Sequence, residues 1–243
     1  MGILLKRLSY LAILGFPLSV LGKRLGIFDF STGFAGIKYT LFLAAGIFVV
    51  GLFCWLLQRE SNPKGSKAAR LAMILSLLPL LGIGSQILLA RSVPAIHNIS
   101  TDTINPPEFA RIAELRTEKN NPLEYQASLA DKQTKAYPNV KPLTTDLTPR
   151  QAHRIALGIA SYLDWDIVAE NVVTGVIEAT ETTKLWAFKD DVVLRITESP
   201  EGGSTIDMRS VSRIGQSDLG ANAKRIKKFM AEFQAREDKQ LDG

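Results

Sequence analysis

Cysteine is nearly missing from this 243-residue chain, which holds only Cys54, inside an apolar run. No internal disulfide and no cysteine metal site is possible; a small buried apolar role suits Cys54. Histidine is almost as scarce. His97 and His153 stand far apart, with no HxH or HxxxH spacing, so zinc is not expected, nor is any other metal or cofactor. Acidic residues are scarce in one half only. Residues 1–90 hold nine Lys/Arg against two Asp/Glu, while 91–243 hold twenty against twenty-two. The net charge of +5 therefore belongs to the apolar half, where it flanks hydrophobic runs. A polyanion binder would carry it on the polar half, so no nucleic-acid partner is expected. GxSxG, P-loop, dinucleotide-binding and carboxylate-rich metal-loop patterns are absent as well, which removes the usual sequence marks of several enzyme classes.

What is present begins with long apolar runs. Tyr39–Leu57 is nineteen residues without a charge, and Leu71–Ala90 is twenty, interrupted only by Pro79 and Gln86. Each is long enough to cross a hydrocarbon core of about 30 Å as a helix, the form that satisfies its own backbone in lipid. Leu8–Gly22 is shorter, contains Pro17, and is bracketed by Lys6-Arg7 and Lys23-Arg24. It reads either as a signal-peptide core or as a third, kinked membrane helix; no small-x-small cleavage pattern follows it, which favours the helix. Residues 1–90 are thus expected to be an anchor with helices about 8–22, 39–57 and 71–90.

The loop Gln58–Arg70 carries Arg59, Lys64, Lys67 and Arg70 against Glu60, and short basic loops stay cytoplasmic. The N-terminus is then cytoplasmic and residues 91–243 extracytoplasmic. In a bacterium this is a multi-pass inner-membrane protein with a periplasmic domain. No Asp, Glu, Lys, Arg or His lies within the two long runs, which argues for an anchor over a transport path.

In the polar half, PEFARIAELR (107–116) reads as a short helix opened by proline. Thr117–Leu147 is proline-interrupted and without periodicity, and is expected to be irregular. Thr148 then caps TPRQAHRIALGIASYLDW, with apolar residues at 152, 155, 156, 159, 160 and 163, a strong amphipathic helix that leaves His153 toward solvent. Four strand-like runs follow: Asp166–Val173, Gly175–Thr183, Asp191–Ser199 and Ser204–Ser212. Ser199–Gly203 fits a tight hairpin with Gly202 left-handed. That turn sets Ile196 opposite Ile206, Leu194 opposite Met208 and Arg195 opposite Asp207. For the preceding pair, hydrophobic matching favours Ile177 opposite Ile196 and Glu178 opposite Arg195. A last helix over Ser217–Arg236 completes an α-β-β-β-β-α order. The fold class is α+β: an antiparallel sheet with helices on one face.

The other sheet face is expected to carry a row Glu178–Arg195–Asp207, with Thr180 and Arg209 nearby. A guanidinium between two carboxylates is either an anion site or cross-strand pairing on an exposed surface. His97 and Asp102, in VPAIHNISTDTINPPEF (93–109), suggest an acid–base pair; the Ser-Thr-Asp-Thr run more often fixes a turn through backbone hydrogen bonds. Arg213-Ile-Gly-Gln-Ser-Asp218 leads into the last helix, where loop amides and Arg213 form either an anion cradle or a capped helix start.

These segments resemble a known family. PAIHNISTDTINPPEF, AYPNVKPL (136–143), GVIEATETTKLWAFKDDVVLRI (175–196), IDMRSVSRIGQSDLGANAKRI (206–226) and the final helix are similar to the domain of unknown function 1499, over about residues 92–235. Three membrane helices ahead of that domain resemble a common proteobacterial arrangement. Asn98 departs from the usual IHDISTD, which weakens an acid or metal role there, and Trp186-Ala187 stand where others often have glycine. The resemblance assigns no activity. It directs attention to His97, Ser100, Thr101, Asp102, Asn105, Glu178, Thr180, Arg195, Asp207, Arg209, Arg213 and Asp218 as one candidate binding cluster, and to Ser212, Ser217 and Asn222 beside it. The expected function is binding or scaffolding of an envelope lipid, glycan or protein, with the neck 93–109 laid across the polar face. The competing reading is an envelope enzyme acting on a lipid or glycan, with Glu178 or Asp102 as acid or base.

Overall fold

The computed structural model describes residues 1–241, with side chains through Asp238. It contains two compact units, one spanning Met1–Arg91 and one beginning at Ser92.

The first unit is three helices: α1 (Gly2–Arg24), α2 (Phe30–Gln58) and α3 (Pro63–Ser92). All three are long and apolar enough to cross a membrane. α1 extends well beyond the apolar run 8–22 that marked it and passes through Pro17. The packing is inverted relative to a water-soluble bundle. Ser9, Ala44, Ala69, Ala72 and Ser76 are fully buried between the helices, whereas Phe42, Phe53, Leu78, Leu81 and Leu88 point outward. Small residues let backbones approach closely: a Cβ on Gly51 would sit 2.7 Å from the Met73 side chain, and one on Gly2 would sit 2.1 Å from the Gly65 carbonyl. Small inside and large outside is the packing of helices solvated by lipid.

The second unit is built on an antiparallel sheet of six strands: β1 (Asn98–Ser100), β2 (Leu143–Thr145), β3 (Asp166–Asn171), β4 (Val176–Thr182), β5 (Lys189–Glu198) and β6 (Ser204–Ser212). β3, β4, β5 and β6 form a meander. β1 and β2 both pair with the far edge of β6, β1 beside residues 209–211 and β2 beside residues 204–206. Four helices complete the unit: α4 (Arg111–Leu115), α5 (Ala130–Ala136), α6 (Pro149–Tyr162) and α7 (Ala221–Leu241).

The β5–β6 register is the expected one, with Arg195 opposite Asp207 and Ile196 opposite Ile206. Gly202 and Gly203 both take positive φ in the connecting turn. Gly203 is required twice over, because a Cβ there would lie 2.1 Å from the Thr145 carbonyl of β2. The β4–β5 register differs from expectation by two residues: Ile177 faces Leu194, and Glu178 faces Val193 rather than Arg195. The loop 183–188 closes tightly, with Thr183 N–H donating to Phe188 O at 2.8 Å, Phe188 N–H donating to Thr183 Oγ1 at 2.9 Å, and Ala187 at φ 49°. β5 therefore starts two residues earlier. A two-residue slip keeps each side chain on its expected face and changes only its neighbours.

α6 starts as the sequence indicates, with Thr148 and Gln151 forming a reciprocal capping box around Pro149. It packs with α7 on the apolar face. Ala152, Ala156, Ile159 and Ala160 meet Ile226, Phe229 and Phe233 over Ile177, Leu194, Ile196, Ile206 and Met208, all buried. Trp165 stacks on Phe229 at 5.7 Å.

Three expectations are corrected. His153 is buried, 3 % exposed, because α6 packs over β3 and turns His153 inward, its Nε2 3.6 Å from Glu170 of that strand. The segment 117–147 is not wholly irregular, since it supplies α5 and β2. The 107–116 helix begins only at Arg111, for a reason found on the opposite sheet face.

Candidate functional site

The second sheet face is polar and covered. Period-two alternation puts Glu178 and Thr180 of β4, Asp191, Val193 and Arg195 of β5, and Asp207, Arg209 and Val211 of β6 on this side. The chain from Thr101 through Tyr125 lies over them. Glu178, Thr180, Asp191, Asp207 and Arg209 are all under 5 % exposed, so of the two readings of the charge row the one on an open, solvated surface falls. The row also breaks in two.

Arg195 keeps Asp207, its Nη2 donating at 2.8 Å, and gains Asp102 at 3.1 Å. Asp102 is positioned by its own turn, accepting from the backbone N–H groups of Ile104 and Asn105 at 2.9 and 2.8 Å. Burial alone would raise its pKa, but the Asn105 and Ile104 amides and the Arg195 guanidinium hold the carboxyl below its ordinary value. Thr101 completes the group: its hydroxyl donates to Asp207 at 3.0 Å and accepts from Met208 N–H at 2.9 Å. Ser100 Oγ donates to the Asp102 carbonyl at 2.7 Å. Asn105 contributes its backbone N–H only, and its residue is exposed.

Among the described residues no cation pairs with Glu178. Its carboxylate accepts from the backbone N–H groups of Ala110, Arg111 and Ile112 at 2.9, 3.0 and 2.7 Å. These are the orphan donors of the first turn of α4, and no local side chain caps that helix. α4 begins where Glu178 can reach it, which explains the late start. Across Val193, Arg209 is the complementary case. Its guanidinium donates to Asn98 Oδ1 and Pro107 O, both at 3.0 Å, and to Leu123 O, and it lies over the Phe109 and Tyr125 rings at 5.4 and 5.7 Å. Burial lowers the Arg209 pKa to about 10 and raises that of Tyr125 to about 12, so both groups keep their usual charge at neutral pH.

The third group centres on Asp191, with no exposed side-chain surface. Arg116 donates to it at 2.7 Å, Arg213 donates through Nε and Nη2 at 2.9 and 2.8 Å, and Thr180 Oγ1 donates at 2.8 Å. Arg213 is thereby committed to Asp191 and is not held open for an external anion. Asp218 settles the helix-start alternative: its carboxylate accepts from Gly220 and Asn222 N–H at 2.8 and 2.9 Å, filling the position an anion would take. Burial raises the Asp218 pKa despite those two hydrogen bonds.

Sequence reasoning missed Arg116, Asp190, Asp191, Gln133 and Arg225. Arg225 of α7 bonds Asp190 at 2.6 Å, Ser210 at 2.9 Å, Glu181 and Asn222. Asp191 was recoverable, since alternation from Val193 and Arg195 places it on the polar face. Arg116 and Gln133 carry no local signal.

His97 stands apart. Its carbonyl accepts from Ser212 N–H and Asn222 Nδ2, which places it five residues along β6 from Asp207, roughly 16 Å at about 3.3 Å per residue. The neck thus splits: residues 98–100 form an edge strand, Thr101 and Asp102 curl onto Arg195, and His97 lines a separate cleft of about 300 Å³ between residues 95–98, the 122–129 run and Gln216. A second cleft of about 300 Å³, by the β5–β6 turn, is bordered by Thr145, Asp146, Glu201 and Glu237. Among the described residues no three His, Cys, Asp or Glu side chains converge as metal ligands.

Chemically, the polar face is a closed layer in which four guanidinium groups (Arg116, Arg195, Arg209, Arg213) balance four carboxylates (Asp102, Glu178, Asp191, Asp207). Three apolar N-terminal helices followed by an α+β domain with such a layer define the class: a membrane-type protein carrying a mixed antiparallel domain. The family model described as protein of unknown function (DUF1499) matches residues 98–233, more than half of the chain, and the chain belongs to that family. No curated protein matches it.

Proposed function

We propose that this protein is a membrane-anchored domain that binds or scaffolds a component of the cell envelope, without catalysing a reaction on it. The observation that carries this reading is the state of its carboxylates. Glu178, Asp191 and Asp207 are each saturated by donors and out of solvent, whereas an acid or base must reach the atom whose proton it moves. Asp102 is the only one of the two candidate acid/base groups that touches solvent, and its depressed pKa suits an ion-pair partner better than a proton donor. The basic 58–70 loop supports a cytoplasmic N-terminus and an extracytoplasmic domain, in a bacterium an inner-membrane anchor with the domain in the periplasm.

Two measurements test this. A lipid, glycan or protein should copurify with the full-length chain in detergent, at near-stoichiometric amount by mass spectrometry, and be recovered chemically unchanged. Conversion of that companion on incubation would favour an enzyme. A reporter fused after Gly243 should be active only outside the cytoplasm; activity inside would reverse the orientation.

A further inference from the structure

The first residues after α3 sit against a basic corner of the second unit. α3 ends at Ser92, and Val93 follows directly. Ile96 O accepts from Asp218 N–H at 3.1 Å, which ties the neck to the start of α7. A Cβ on Gly220 would lie 3.7 Å from Val93 Cγ1 and 3.4 Å from the Tyr137 hydroxyl, so Val93, Tyr137 and Gly220 are neighbours. Lys227 holds its ammonium 5.7 Å from the centroid of the Tyr137 ring. Lys224 stands one turn past Gly220, its N–H donating to the Gly220 carbonyl at 3.0 Å, and Lys228 stands one turn further. Positions 224, 227 and 228 share one helix face, and all three lysines are exposed. Arg225, between them, turns inward to Asp190 and Glu181. Among the described residues no carboxylate pairs with the three lysines. Asp218 is the sole acid between positions 216 and 231, and it is taken up by the Gly220 and Asn222 amides. The basic excess is local, because residues 91–243 as a whole hold twenty Lys/Arg against twenty-two Asp/Glu.

Two features of this corner have no explanation inside the domain. Lys224 puts a positive charge in the first turn of α7, where the helix dipole favours a negative one, and that turn holds no acid. Leu219 holds φ at 54°, a left-handed conformation that glycine or asparagine adopts more readily than leucine. What leucine adds over those two is apolar surface, and the residue stays 38 % exposed. We propose that this corner rests on anionic phospholipid in the leaflet from which α3 emerges, with Leu219 at the acyl boundary and Lys224, Lys227 and Lys228 at the phosphates. This rests on the membrane reading of the three helices and goes beyond it, since it holds whichever envelope component the domain binds. Chain continuity commits the corner to lipid. Where α3 crosses a bilayer its last residues end in the headgroup layer, and Val93 brings its neighbours there with it. A basic cluster beside a membrane-spanning helix meets the negative surface potential of anionic lipid, and an exposed leucine gains by burial at the acyl boundary. A second copy of this chain would bring the same three lysines to the contact and be repelled by them.

The test uses the full chain with Cys54→Ala, carrying a fluorophore on Gln216→Cys beside the corner or on Glu201→Cys in the β5–β6 turn. The length of β6, about 26 Å, separates the two sites. Nanodiscs hold phosphatidylcholine alone or phosphatidylcholine with phosphatidylglycerol, each with a lipid that carries a quencher on its headgroup. Quenching at 216 should be stronger with phosphatidylglycerol and should fall to the phosphatidylcholine level in high salt. Quenching at 201 should not depend on the lipid. Lys224→Gln and Lys228→Gln should each lower the ratio of docked to undocked domain about fivefold. Leu219→Asn, which suits the left-handed backbone, should also weaken docking, and thermal unfolding in detergent shows that each variant folds. The proposal is overturned if quenching at 216 is indifferent to phosphatidylglycerol, if the lysine variants match wild type, or if site 201 responds as strongly. A photocrosslinker at 216 in native membranes should form lipid adducts; adducts only with a second copy or another protein would overturn it as well. A chain that fails to enter the discs would remove the membrane reading and this inference together, whereas insertion without phosphatidylglycerol dependence removes this inference alone.

Discussion

The two faces of one sheet are held to their covers in different ways. On one, Ile177, Leu194, Ile196, Ile206 and Met208 lie under Phe229 and Phe233 of α7, and any well-shaped apolar group would serve. On the other, Asp191, Arg195, Arg209 and Glu178 each need particular partners, drawn from Asp102, Pro107, Ala110 and Arg116 in the covering segment. The apolar face is held by volume and the polar face by pairing. The first kind of cohesion tolerates repacking. The second fails when a single partner is removed, because a charge is then left buried alone.

That contrast can be broken by substitution. The largest loss is expected for Asp191→Ala, which strands Arg116 and Arg213 together: about 5 kcal/mol, the upper end for a broken buried ion pair, read as unfolding free energy of the full chain in detergent. Phe229→Ala should follow at about 4 kcal/mol through its cavity. The conservative variants sharpen the test. Phe229→Leu should recover most of its loss, to about 1.5 kcal/mol, while Asp191→Asn should recover little, since a neutral amide does not balance two guanidinium groups. Equal recovery on both faces would refute the distinction. Arg195→Met comes lower, at about 3 kcal/mol: it leaves the Asp207 carboxylate, 6 % exposed, without its cation, while the Asp102 side of the network is more open to solvent.

The same contrast explains what was legible in the amino-acid order. Period-two alternation identified both faces, since burying one side of a strand fixes the other. Turn chemistry fixed the β5–β6 register through Gly202. It could not fix β4–β5, whose six-residue loop closes through Thr183 and Phe188 contacts that no short motif announces. The three membrane-type helices were legible because length and apolarity suffice for them. The polar layer was only half legible. Arg195–Asp207 is a cross-strand pair, local once the hairpin is known. Glu178 capping α4, and Arg116 reaching Asp191, join residues 66–75 positions apart; nothing local to either partner encodes the other. For the same reason the expected Glu178–Arg195 contact was wrong while both residues were placed on the correct face.

The smallest effect is the most diagnostic, because two carboxylates of this domain should respond to pH with opposite sign. The Asp102 pKa is lower in the folded protein than the ordinary 3.8, so its stabilisation is complete above that value and is lost as pH falls through the folded pKa. Asp102→Asn should therefore lower stability by about 1 kcal/mol at neutral pH, with the deficit shrinking below about pH 3.8 and vanishing in stronger acid. Asp218 is raised, chiefly by burial. Its ionisation opposes folding, so the stability tied to its protonated form is full below the ordinary value and declines as pH rises through the folded pKa. Asp218→Asn removes that decline, at the cost of one acceptor, because Gly220 and Asn222 donate to separate oxygens of the carboxylate and the amide keeps only one. Denaturant unfolding of the three proteins between about pH 2.5 and 7 reads both limbs. A deficit for Asp102→Asn that stays constant with pH would mean that its bonds to Ile104, Asn105 and Arg195 do not depend on its charge.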